Sequence, residues 1–131
     1  MIVVDTSILV AILRQEPDGT FWMNRLLSEA RLAIGAPTKF ELLLVMTRGQ
    51  GVIGASDANA LLDVLKLDVI DWTDAMADIA SEAFATYGKG LGHRAALNFG
   101  DCMSYALAKS LDAPLLFKGN DFAQTDVRRA L

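Results

Sequence analysis

Isolated acidic residues in apolar surroundings are the feature of this sequence that bears most directly on chemistry. Asp5 stands between the β-branched run "IVV" and the apolar segment "ILVAIL", at a predicted strand-to-helix junction. Glu41 is the only acid in "TKFELLLVM", which is apolar nearly all round and is therefore predicted to be a buried helix. Asp101 begins the apolar helix of "GDCMSYALAK", and Asp121 follows the apolar strand of "PLLFKGNDF". Four lone acids thus share one kind of environment.

A shared divalent cation accounts for all four acids. Asp5 and Asp121 follow strands, which is where α/β folds place their ligand crevice. Carboxylate oxygens in a partly hydrated pocket suit Mg²⁺ or Mn²⁺. Two simpler interpretations stay open, namely that Asp5 and Asp101 cap helices and that Glu41 forms a buried ion pair, for example with Arg48. Capping does not explain an acid inside a helix, so we predict a metal site.

The composition describes a small, apolar protein. Its 131 residues predict one domain, 1–131, with a sizeable core. Apolar residues make up 53% of the chain and the mean hydropathy is +0.33, which predicts an apolar surface covered by a partner. No stretch predicts a membrane span or a signal peptide, and Cys102 is the single cysteine, so we expect a cytoplasmic protein.

The charge distribution is uneven. The net charge is −4, which by itself disfavours a nucleic-acid binder. Much of the acidity lies in one stretch, because residues 57–82 hold seven of the 16 acids and a single lysine. We interpret this stretch as a solvated helix face.

Short β-branched runs alternate with helical patterns, which predicts an α/β fold. Strands are predicted near residues 2–4, 32–34, 69–70 and 115–117. Helices are predicted over residues 7–14, 21–30, 38–48, 56–65, 74–87 and 101–110. The Gly-rich segment "YGKGLGH" is predicted to be a flexible loop.

Four segments together resemble one family over essentially the whole chain. "VVDTSILVAIL", the helix with Glu41, "GDCMSYALAK" and "LLFKGNDF", in this order, resemble PIN-domain ribonucleases of the VapC toxin type. The resemblance implies a single PIN domain over 1–131, a three-layer fold whose central, mainly parallel sheet is flanked by helices. It also implies that Asp5, Glu41 and Asp101 bind metal.

The resemblance assigns further site residues. Thr6 and Ser7 match the polar residues beside the first acid. The fourth acid is less regular, because many relatives carry an earlier aspartate where this chain reads "GND". Asp121 or the amide of Asn120 is therefore expected to fill that role.

The implied activity is hydrolysis of RNA phosphodiester bonds with Mg²⁺ or Mn²⁺, by a water that the metal activates. RNA contact needs positive charge near the acids, and Lys89, His93, Arg94 and Lys118 are the candidates. The family also implies a cognate antitoxin and a homodimer. A helix with Phe21, Trp22, Leu26 and Leu27 is a candidate partner surface, although this spacing is also typical of a core.

Other classes fit less well. The chain has no GxSxG elbow, and "YGKGLGH" lacks the spacing of a phosphate-binding loop. Cys102 and His93 would make a thiol–imidazole pair, but Cys102 is better interpreted as a packing residue on an apolar helix. A receiver-type signalling domain would use Lys118 but gives Glu41 no role. A catalytically degenerate PIN domain that binds RNA or protein remains the main alternative.

Overall fold

The computed structural model describes residues 1–130. The elements follow one another as β1 (Ile2–Val4), α1 (Thr6–Leu13), α2 (Gly19–Leu27), β2 (Leu32–Gly35), α3 (Ala36–Leu65), β3 (Asp68–Ile70), α4 (Asp74–Tyr87), α5 (Phe99–Ser110) and β4 (Leu115–Leu116). The predicted alternation of strands and helices is confirmed. None of the helices in this range is long and apolar enough to cross a membrane.

The four strands form one parallel sheet in the order β3-β2-β1-β4. β1 is central, with Val3 opposite Ala33 of β2 on one side and opposite Leu115 of β4 on the other. The chain winds from β1 outward through β2 and β3, and then returns to the other side of β1 with β4. Strand order therefore reverses beside β1, and the carboxyl edge at such a reversal is the usual ligand crevice of an α/β sheet.

Two apolar layers cover the two faces of the sheet, which gives the three-layer α/β fold expected from the sequence. Side chains alternate along β1, so that Ile2 and Val4 pack against α1, α2 and α3. Val3 points the other way, into the layer that α4 and α5 form with the C-terminal segment. Burial of β1 on both faces explains why its sequence is a continuous apolar run.

Helix α3 corrects two expectations. Residues 38–48 and 56–65 were expected to form separate helices, whereas α3 runs from Ala36 to Leu65 with non-helical angles only at Gly51 (φ 65°, ψ −150°). The segment around Glu41 was expected to be buried on all sides, and this is wrong. Phe40 is 62% exposed and Leu44 is 48% exposed, so α3 buries one face and presents another to solvent.

Candidate active site

Asp5 lies in a buried position at the carboxyl end of β1, where it forms the N-cap of α1. It is 7% exposed, and its Oδ2 accepts hydrogen bonds from the backbone N–H of Ser7 (3.1 Å) and from the Ser7 hydroxyl (2.6 Å). The other oxygen, Oδ1, accepts from the hydroxyl of Ser104 on α5 (2.7 Å). Asp5 is therefore a cap, as the simpler interpretation proposed. It is also held from a second helix, which capping does not require.

Glu41 comes to the same place from the first turns of α3. Its Oε1 accepts a hydrogen bond from the hydroxyl of Thr6 (2.7 Å), the residue after Asp5. Within residues 1–130, Glu41 has no ion pair with Arg48, so that interpretation is not supported.

Close approach of Glu41 to α5 depends on Gly100. A Cβ atom at residue 100 would stand 2.0 Å from Oε2 of Glu41 and 2.8 Å from its Cδ. Only glycine leaves room for the carboxylate beside the first turn of α5. This contact places Glu41 next to the residue that precedes Asp101.

Asp101 lies in the first turn of α5 as part of a capping box. Asn98 is the N-cap, and its side chain accepts from the backbone N–H of Asp101 (2.8 Å) while the Asp101 carboxylate accepts from the backbone N–H of Asn98 (3.0 Å). The expectation that Asp101 itself might cap the helix is thus corrected: the cap is Asn98. Asp101 stabilises the same turn reciprocally.

The electrostatics of Asp101 reflect its burial and the negative charges of the other three acids. Burial is the main reason why the pKa of Asp101 rises to about 6, against the lowering effect of its hydrogen bond with Asn98. The negative charges of Asp5, Asp121 and Glu41 raise this pKa further. The three other acids that were picked out by sequence context thus each act on Asp101 in the fold.

Asp121 stands at the exposed rim of this cluster. β4 ends at Leu116, and the chain then turns through Gly119, whose φ of 95° is a conformation that favours glycine. Asn120 and Asp121 follow the turn and are both exposed. The Asn120 carbonyl accepts from the backbone N–H of Ala123 (3.1 Å). The negative charge of Asp121 is one of those that raise the pKa of Asp101.

The predicted RNA-contact residues fall into two groups. Lys89, His93 and Arg94 lie in the loop between α4 and α5, which closes with a bridge between Gly88 and Leu97. The loop ends one residue before the cap of α5. This loop was expected to be flexible, and in the structure its two ends are paired by that bridge.

Lys118 is engaged elsewhere. Its ammonium group donates to Glu16 (2.7 Å) and Asp18 (2.9 Å) in the connection between α1 and α2. These two hydrogen bonds raise the pKa of Lys118. Its backbone N–H donates to the Ser7 hydroxyl (3.1 Å), which in turn donates to Asp5. In this arrangement Lys118 braces the chain beside the first acid.

The four acids offer carboxylate oxygens that no basic side chain of the described residues neutralises. Among residues 1–130, no lysine or arginine forms an ion pair with Asp5, Glu41, Asp101 or Asp121. Over the same residues, no group of three or more acidic, histidine or cysteine side chains is placed so that it could hold a metal ion. An all-oxygen donor set that includes an exposed rim suits a hard cation that keeps part of its water. The chemistry of these donors, rather than their spacing, is what suits a divalent metal.

Comparison with known proteins identifies the family of this chain. The family described as PIN domain matches residues 2–128, and the chain belongs to the PIN-domain family. Ribonuclease VapC28 of Mycobacterium tuberculosis is 39% identical over 129 residues, which covers 98% of this chain and 97% of that protein.

Solved structures share the fold. VapC20 of Mycobacterium tuberculosis, described as a toxin that cleaves the sarcin-ricin loop, superposes with a TM-score of 0.81 at 17% identity, over 99% of this chain and 98% of that chain. A toxin–antitoxin complex from Klebsiella pneumoniae gives a TM-score of 0.73 at 16% identity, over 96% and 93% of the two chains. At these identities the likeness establishes the architecture alone.

Proposed function

We propose that this protein is a VapC-type toxin, an endoribonuclease that hydrolyses RNA phosphodiester bonds with Mg²⁺ or Mn²⁺ held by Asp5, Glu41, Asp101 and Asp121. The observation that supports the proposal is that Asp5, Glu41 and Asp121 all act electrostatically on Asp101, and that the Glu41 carboxylate lies against Gly100, the residue before it. The kinship with proteins named VapC ribonuclease supports RNA as the substrate.

Each acid has a distinct part in holding the cation. Asp5 is fixed by hydroxyl and amide donors, Glu41 is oriented by Thr6, and Asp101 is oriented by the cap of α5. Asp121 lies at the open rim, where the substrate enters. When bound, the cation supplies a water of lowered pKa and neutralises charge on the phosphate. The four acids would hold the cation, so that no side chain of the protein would be needed as the nucleophile.

The basic loop before α5 is proposed to guide the RNA. Lys89, His93 and Arg94 lie on a connection that ends directly at the turn carrying Asp101. Positive charge is required there, because the acid cluster repels a polyanion. Lys118 is proposed to act mainly through its contacts with Glu16 and Asp18, which hold the segment leading to Asp121.

An antitoxin and a second copy of the chain are proposed as partners. Large apolar side chains remain exposed on several helices, among them Phe21, Leu27, Phe40, Leu44 and Phe99. Of the predicted surface on α2, Leu26 is buried in the core and Trp22 packs against it partly buried, while Phe21 and Leu27 stay exposed. Exposed apolar area of this kind favours a protein partner. Co-purification of a small protein with this chain from the cells that produce it tests the antitoxin, and the mass of the free chain in solution tests the second copy.

The test of the activity is metal-dependent cleavage of a mixed RNA pool by the wild type and by Asp5→Asn. Asparagine caps a helix about as well as aspartate, so a purely capping Asp5 predicts unchanged cleavage. A metal-binding Asp5 predicts a loss of orders of magnitude, because the negative charge is removed. Asp74→Asn, at the first turn of α4, is the matched control and should cleave normally. Wild-type protein that binds Mn²⁺ but cleaves no RNA would instead support a degenerate binding module.

A further inference from the structure

Ser104 is a buried hydroxyl that contacts the first acid from the far end of the sequence. It is 1% exposed, on the face of α5 that packs into the core, and its hydroxyl donates to Oδ1 of Asp5 over 2.7 Å. The two residues are 99 positions apart. A serine inside a helix commonly returns its hydroxyl to the carbonyl one turn earlier. Here the hydroxyl reaches the carboxylate of another element.

The contacts of Asp5 distinguish its two oxygens. A carboxylate accepts about four hydrogen bonds, two on each oxygen. Oδ2 accepts two from Ser7, from the amide and from the hydroxyl. Oδ1 accepts one, from Ser104. Counting hydrogen bonds from the described residues, Oδ1 therefore keeps one acceptor position for another group and Oδ2 keeps none.

The same hydrogen bond joins Asp5 to the helix that carries Asp101. Ser104 comes three residues after Asp101, so both lie on one side of α5. Holding Asp5 to Ser104 therefore fixes the end of β1 against the helix turn that carries Asp101. Without the Ser104 hydroxyl, the Asp5 carboxylate is held only through Oδ2 by Ser7, and Oδ1 is free to move.

We propose that Ser104 is a positioning residue, whose hydroxyl holds the Asp5 carboxylate so that the remaining acceptor position of Oδ1 faces the cation. The inference rests on the proposed metal site but not on RNA as its substrate. Outer hydrogen-bond partners of metal ligands typically change metal affinity by about 10–100-fold when they are removed. Ser104 is not among the site residues that were predicted from the sequence.

The experiment measures Mn²⁺ binding to the full chain by calorimetry, with no RNA present, alongside the melting temperature of the metal-free protein. Ser104→Ala is expected to bind Mn²⁺ about tenfold more weakly or worse. Ser104→Thr keeps the hydroxyl and is expected to restore most of the affinity. Ser110→Ala, the same change at the exposed end of α5, serves as the control and should bind like the wild type.

The outcomes separate the possible roles. If Ser104→Ala lowers the melting temperature but binds Mn²⁺ as tightly as the wild type, the residue is structural only and the proposal is overturned. A wild-type chain that binds no Mn²⁺ overturns it as well. A wild type that binds Mn²⁺ with the Ser104 dependence described, but cleaves no RNA, refutes the proposed ribonuclease while leaving the role of Ser104 established.

Discussion

Replacement of Gly100 by alanine should separate activity from stability. The added Cβ would lie 2.0 Å from Oε2 of Glu41, whereas ordinary contact begins at 3.4 Å. The carboxylate must therefore withdraw by about 1.4 Å, because a Cβ contact this close is not tolerated. Glu41 is the partner that yields, since its carboxylate is the end of a flexible side chain and the first turn of α5 is fixed by its capping box.

The expected effects on stability nearly cancel. Withdrawal of Glu41 breaks its hydrogen bond with Thr6, which costs about 1–2 kcal/mol. Alanine instead of glycine in a helix returns up to about 1 kcal/mol. The melting temperature should change by only a few degrees. Cleavage should fall about 100-fold, because a displacement of about 1 Å in a catalytic group has an effect of that size.

Gly49→Ala is the control for the Gly100→Ala variant. Gly49 is also helical, but the nearest atom to its added Cβ is a guanidinium nitrogen of Arg14 at 4.0 Å. This variant should gain slightly in melting temperature and cleave RNA at the wild-type rate. Two results would refute the steric reasoning: normal cleavage by Gly100→Ala, or its failure to fold, which would mean that the helix yields and Glu41 does not.

Two further predictions concern single acids and their partners. In metal-free protein, the raised pKa of Asp101 means that the folded state binds more protons than the unfolded state between about pH 4 and pH 6, so stability should fall as pH rises through this range. Asp101→Asn should remove this dependence of stability on pH and raise the free energy of unfolding at pH 7 by about 1–2 kcal/mol, after allowance for screening. Urea titrations at several pH values measure both effects. A variant whose stability depends on pH as the wild type's does would contradict the prediction. Tyr105→Phe removes the hydrogen bond to Asp126 and should cost about 1 kcal/mol in the same titration while leaving cleavage unchanged. Reduced cleavage with wild-type stability would place Tyr105 in the site instead.

Local sequence signals were sufficient for most of the fold. The run "IVV" forms β1, and α4 spans residues 74–87 as its apolar spacing predicts. Two separate helices were expected where α3 is continuous, and only Gly51 within it has non-helical angles, because the helix resumes immediately after this residue. Sequence periodicity identifies helical residues well, but it does not show whether a glycine ends a helix or only bends it.

The site was harder to complete than the fold. The four acids could be found because each is polar in an apolar segment. The cap at Asn98 had a local signal, an asparagine three residues before an acid, which was overlooked. The contact between Ser104 and Asp5 had none, because a serine in an apolar helix is ordinary and its partner is 99 residues away. The pairing of Lys118 with Glu16 and Asp18 is equally non-local.

The central position of β1 has a consequence for the order in which the proposed site is assembled. Asp5 comes earlier in the chain than both α5, whose Ser104 donates to it, and β4, at residues 115–116, which completes the sheet edge beside it. During synthesis Asp5 is therefore made 99 residues before Ser104, the partner that holds its second oxygen. A fragment that ends before α5 has a β1 that lacks one of its two neighbouring strands, and it also lacks Asp101 and Asp121, so the proposed site cannot form in it.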